Sequence, residues 1–205
     1  MRDFKKRNNP RELPERRFLV RLDFFRNFVD YLNSFETAVE LLYRKVANAE
    51  ETPYSMALPL LFLMRHSLEL GYKYTIAELH YLNEIPYEPA KCRHSLEGLH
   101  SVLKEQFSKV AGKWPLSKSV LKEFEDHYRN TGKCMKEFNQ LDPDSIAFRY
   151  PINKGGTPVF SHDDAVNLLA LKQSYDSGML LLGHLADVLQ PCHEMLEESH
   201  GNMDC

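Results

Sequence analysis

From Phe18 to about Asn48 apolar residues return at three- and four-residue steps: Leu22, Phe25, Phe28, Val29, Leu32, Phe35, Ala38, Val39, Leu42 and Val46. That is the period of a long amphipathic helix, with Arg26, Asp30, Glu36 and Arg44 on its outer face. In the next stretch Met56–Met64 is almost continuously apolar, the mark of a helix that enters a core. Thr52 supplies an N-cap and Pro53 the first helical position, so this second helix should run from there to about Asn83, loosened or kinked at Pro59. Pro86 and Pro89 mark a connection, after which a helical period resumes at His94 and continues to about Val110. Trp114-Pro115 opens a turn, and Ser117 caps a fourth helix through Val120, Leu121, Phe124, Tyr128, Met135 and Phe138, weakened near Gly132 and ended by Leu141-Asp142-Pro143.

Residues 142–161 have no period and are dense in Pro and Gly, including Phe148-Arg149-Tyr150-Pro151 and Lys154-Gly155-Gly156-Thr157-Pro158. A loop of this length in a helical domain is more often functional or tightly packed than idle. Ser161 with Asp164 has the form of an N-cap for a last helix from His162 to about Gln190. Strand signals are nearly absent. The expected fold is all-α: a single-domain bundle of about five helices, antiparallel where connections are short, with one long Pro/Gly-rich loop before the last helix. Residues 1–16 read as a flexible basic arm, 17–190 as the bundle and 191–205 as a C-terminal tail.

Composition narrows this picture only slightly. At 205 residues, 43% of them hydrophobic, the chain is long enough for one substantial core and short for two. A net charge of −3 gives no global field for nucleic acid, although residues 1–21 hold eight Lys/Arg against three acids. The cysteines at 92, 134, 192 and 205 form no Cys-x-x-Cys pair, and no secretory leader is evident, so free thiols in a cytoplasmic protein are expected. Cys92 with His94, or Cys192 with His193, lacks the paired spacing of a closed zinc site; neither metal nor cofactor is expected. Arg65 cuts short the longest apolar run, well below the roughly 20 residues that span a bilayer, so no membrane segment is expected.

The chemistry concentrates at Arg65-His66-Ser67-Leu68-Glu69, with Lys73 one turn on. On a helix Arg65 and Glu69 stand at i and i+4, while His66 shares a face with Glu69 and Lys73. Groups planted behind so apolar a run must be paired or used. Paired, they form an internal ion network; used, Arg65 clamps a phosphodiester and His66 is the acid or base that breaks it. Arg93 and His100 make an alternative Arg-x6-His pair, read more simply as a surface arginine and a surface histidine. His94, at a helix start, suits a cap, a core histidine or a ligand. Arg149, between Phe148 and Tyr150, is pinned by aromatic neighbours; it either joins Glu69 in an Arg–Glu–Arg cluster or faces solvent beside His66 as part of an anion site.

Taken in order, Arg65-His66-Ser67-Leu68-Glu69-Leu70 with Lys73, then His94-x-Leu96-x-x-Leu99, then Arg149-Tyr150-Pro151 and a long final helix resemble the HEPN superfamily of helical bacterial and archaeal domains over about residues 55–190. Ser95 stands where that family commonly has Asp. The resemblance implies a four- or five-helix bundle that usually dimerises, in toxin–antitoxin pairs and anti-phage systems or beside a nucleotidyltransferase partner. It also implies, for many members, a metal-independent ribonuclease built on Arg-x4-6-His near the final helix. Arg129-Asn130 has that motif's opening but no His within six residues, and Arg149-Tyr150 lacks both the polar follower and a near His. The expectation is therefore a homodimeric module that binds RNA, a nucleotide or a partner protein such as an antitoxin, with a ribonuclease or a purely structural protein as alternatives.

Overall fold

The computed structural model describes residues 20–88 and 94–201; the basic arm at 1–16, Cys92, Arg93 and Cys205 lie outside the described residues. After a 3-10 turn at Leu22–Phe24 come five helices: α1 (Phe28–Ala47), α2 (Pro53–Leu82), α3 (Leu96–Lys113), α4 (Lys118–Leu141) and α5 (Leu168–Gly201). Among the described residues there is no strand, only an isolated bridge between Ile152 and Pro158. The all-α bundle expected from periodicity is the observed fold. No described helix is long and apolar enough to cross a membrane.

The caps set the ends. Thr52 and Ser117 accept from the backbone N–H of Ser55 and Val120, as their sequence positions predict. α1 starts later than its apolar period, at Asn27, whose side chain accepts from Asp30 N–H while the Asp30 carboxylate reaches back to the Asn27 N–H. Asp30 is thus a capping residue, not only an outer-face acid. α3 begins at Leu96 because Ser95, not His94, caps it by accepting from Gly98 N–H. Ser161 and Asp164 hydrogen-bond each other, but they close a turn; α5 begins at Leu168, with the Asn167 side chain accepting from Ala170 N–H. α5 then continues through Pro191 to Gly201, so most of the expected tail is helix that buries Cys192 and Leu196. α4 runs unbroken through Gly132, and α2 remains one helix through Pro59.

α2 is the axis of the molecule, packed against α1, α3 and α5, and the ring closes through α3–α4 and α4–α5. Its buried side chains run from Leu60 to Leu82 on several faces, whereas α1, which lies outside the ring, buries only Val39 fully. Residue pairings fix the directions. Tyr72 meets His100, and Lys113 and Trp114 both donate to the Leu82 carbonyl, so α2 and α3 run parallel. α5 is also parallel to α2, since Leu68 meets Gly178 and Glu78 meets His193. Short connections leave α1 antiparallel to α2 and α4 antiparallel to α3, with Phe35 against His66 and Phe107 stacked on Phe124.

α2 and α5 approach closely at two glycines. A Cβ on Gly71 would lie 2.6 Å from Leu182 Cδ1, and one on Gly178 2.7 Å from Leu68 Cδ2 and 3.3 Å from Met135 Cε. Gly183, on the same helix as Gly178, has nothing within 4 Å. Gly183→Ala is expected to stabilise by roughly 0.5–1 kcal/mol through helix propensity, while Gly178→Leu overpacks the α2–α5 seam and destabilises by roughly 1–3 kcal/mol. Urea denaturation of the two variants side by side measures both signs.

Candidate functional site

Arg65 lies at the middle of α2 with only 1% of its surface exposed, and each of its three guanidinium nitrogens is held by the protein. Nε donates to the Asp142 carbonyl at 2.8 Å, Nη1 to Glu69 Oε2 at 3.1 Å and Nη2 to the His94 carbonyl at 2.7 Å. The Asp142 carboxylate adds its charge at 3.7 Å from Nε. One side chain thereby ties the centre of α2 to the residue before the α3 cap and to the last residue of the α4 end. Asp142 is fixed in turn, since its Oδ1 accepts from the backbone N–H groups of Ile146 and Ala147.

Glu69 faces the opposite side of this network and is 3% exposed. Its Oε1 accepts from Lys73 Nζ at 2.7 Å and from His94 Nδ1 at 2.8 Å, which places the His94 proton on Nδ1. Burial pushes the Glu69 carboxyl up, but the hydrogen bonds and charges of Lys73 and His94 outweigh it and hold the group below the usual carboxylate range. His94 keeps 65% of its side chain in water, so this end of the network reaches the surface.

Of the two readings of Arg65, internal ion network or phosphate clamp, the geometry favours the network, because the guanidinium is buried and each of its nitrogens already bonds the protein. Arg149 does not join Glu69. It is exposed, bonds the Ser145 carbonyl, and lies over two rings, 5.8 Å from the Phe62 centroid and 5.7 Å from Tyr150. Phe62 stacks in turn on His66, with ring planes 8° apart and centroids 5.6 Å apart, and Phe35 of α1 meets the other side of the imidazole edge-on at 4.7 Å. His66 makes no hydrogen bond to a described residue. Burial between the two phenyl rings, opposed by Glu69 and reinforced by Lys73, Arg65 and Arg149, holds the ring below the usual histidine range, so it is neutral at pH 7.

His100 is corrected from a surface residue to a core one. It stacks on Tyr128 at 3.8 Å and 3°, its Nδ1 is 2.8 Å from the Tyr72 hydroxyl, and burial pushes it down to about 4. Its presumed partner Arg93 lies outside the described residues. Gly132, expected to weaken α4, instead makes room for this ring, since a Cβ there would come within 3.4 Å of Nε2.

Sequence reading missed Asp142 as a member of the network. Its signal was a helix-ending Asp-Pro followed by a turn, a position where a carboxylate caps backbone N–H groups. Lys172 was missed as well. Buried on α5, it bonds Glu40 and Asp176 at 2.7 Å each beneath Tyr43 and Tyr175, and although burial pulls it down these carboxylates leave it raised. Among the described residues no three His, Cys, Asp or Glu side chains converge to hold a metal ion, and Cys134 and Cys192 are buried free thiols whose burial raises them.

Arg65→Met strands Glu69 and Asp142 in the interior and is expected to cost about 3–5 kcal/mol in urea denaturation, with partial recovery in Arg65→Met/Glu69→Gln. His100 gives a pH signature. Its folded value of about 4 lies below the unfolded value near 6.5, so its stabilisation is complete above pH 6.5 and is lost as the pH falls towards 4. The loss is about 3 kcal/mol, and the difference in unfolding free energy between wild type and His100→Phe, followed from pH 7 to 4, measures it. No protein-family model matches this chain, and no curated protein and no solved structure matches it either.

Proposed function

We propose that this chain is a HEPN-like module that binds RNA or a nucleotide without cleaving it. The observation that carries the reading is the surface ladder Tyr150–Arg149–Phe62–His66, in which an exposed guanidinium lies over aromatic planes beside a neutral imidazole. A planar cation supported in this way suits a phosphate, and the exposed Tyr150 ring offers a face on which a base can stack. Lys73 and His94 on the same side of α2 are both engaged by Glu69 and offer no free acid–base pair. The burial of Arg65 weighs against phosphodiester chemistry at Arg65-His66, since a cation that stabilises the developing charge must be preorganised within reach of the phosphate. A cytoplasmic homodimer working with an antitoxin or nucleotidyltransferase partner belongs to the same proposal.

Fluorescence anisotropy with a labelled short oligouridine tests it. Wild type is expected to bind with an affinity that falls steeply as salt rises, and Arg149→Ala and Tyr150→Ala each to lose roughly 1–3 kcal/mol while the oligonucleotide stays intact. Absence of binding at low salt, or equal binding by Arg149→Ala, would overturn the reading. Cleavage to a 2′,3′-cyclic phosphate that disappears in His66→Ala would establish instead a metal-independent endoribonuclease.

A further inference from the structure

A second surface, separate from the Arg149 ladder, lies where the first turns of α2 meet the connection between α4 and α5. There a trough of about 410 Å³ is floored by Leu61, Phe148 and Phe160 and walled by Tyr54, Leu58 and Val166. The floor residues Leu61 and Phe148 belong to the core, but Tyr54 is 97% exposed and Leu58 48%, so the trough is open along one side. Large apolar side chains held this far into water over a continuous depression mark an interaction surface.

Charge identifies the occupant. Asp164 is the one carboxylate lining the trough, and among the lining residues none is basic. Exposed Asp163 adjoins it in the chain, and exposed Glu51 leads directly into the first turn of α2, whereas Glu50 before it is paired with Lys45. The N-termini of α2 and α5 also open here, but each carries its own side-chain cap, Thr52 and Asn167. Their partial positive ends are weaker than full carboxylates. An apolar trough with an acidic rim complements a segment that presents apolar anchors flanked by Lys or Arg.

We propose that this trough docks an amphipathic helix of a partner protein, its apolar face seated against Leu58, Leu61 and Phe148 and its basic side chains turned to Asp164 and the acids beside it. Helix-in-groove recognition of this kind uses anchors at i, i+3, i+4 and i+7, and the opposite charges set its orientation. The site is distinct from the RNA-binding ladder, so either can fail without the other.

The test uses the full chain and two labelled synthetic peptides, one with Leu and Lys at helical spacing and a twin with Glu for every Lys. Anisotropy is expected to show binding of the Leu/Lys peptide, with the Leu/Glu twin weaker by about tenfold or more. Leu58→Lys, an exposed substitution whose folding circular dichroism checks, is expected to cut Leu/Lys binding by a similar factor and leave oligouridine binding unchanged. No binding, equal binding of the twins, or undiminished binding to Leu58→Lys would overturn the proposal. So would a wild-type dimer in sedimentation equilibrium that Leu58→Lys splits, because the trough would then belong to a second copy of this chain.

Discussion

A guanidinium can leave water only where its nitrogens meet acceptors, and in this molecule those acceptors come from three separate places along the chain. Glu69 is one turn away on the same helix, the His94 carbonyl precedes α3, and the Asp142 carbonyl ends α4. Moving either distant segment would strand a buried charge, whose uncompensated burial costs several kcal/mol. The network therefore works less as added stability than as a geometric condition. It admits the one placement of the α3 start and the α4 end in which the charge is satisfied, while the apolar surface of α2 would tolerate neighbouring registers. Specific placement of otherwise greasy helices is a role buried polar groups can fill, and the three-way sharing of Arg65 fits it.

Much of this architecture is legible in the sequence because it depends on local rules. Thr52-Pro53 and Ser117 are caps by residue type and position, and the apolar run Met56–Met64 marks a helix that enters the core, which it does from Leu60 onward. What escaped depends on tertiary choice. The Leu22–Phe25 stretch keeps a helical period yet is no part of α1, because Asn27 and Asp30 form a capping box just beyond it. Ser161 and Asp164 have the chemistry of a cap but spend it on a turn, and the helix waits for Asn167. The parallel course of α2 and α3 has no signature in residue pattern at all, since periodicity reports which face is buried and not which way a neighbour runs.

The candidate site divides along the same line. His94 joins the network only through the fold. That Arg65, Glu69 and Lys73 belong together follows from helical spacing plus the need to satisfy buried charge. Which side of the network meets water does not, and this is what separates a staple from a clamp. His100 shows the limit most clearly, because an imidazole among polar neighbours in sequence lies in space between Tyr72 and Tyr128, where burial keeps it neutral. Arg149 goes the other way. Of its aromatic neighbours in sequence only Tyr150 meets it, Phe148 packing inward on Phe160, and with Phe62 from α2 it lies outward, over rings, rather than inward to Glu69.

The parallel arrangement of α2 and α3 has a consequence for how the chain reaches this structure. Antiparallel pairs joined by short links, α1 with α2 and α3 with α4, need only local closure and can form early. The bond from Arg65 to Asp142 joins residues 77 positions apart, so it closes a long loop and draws on the docking of the two pairs rather than on either one alone. Desolvation of the guanidinium is thereby coupled to that docking, since a mispaired arrangement would leave it without its distant acceptors.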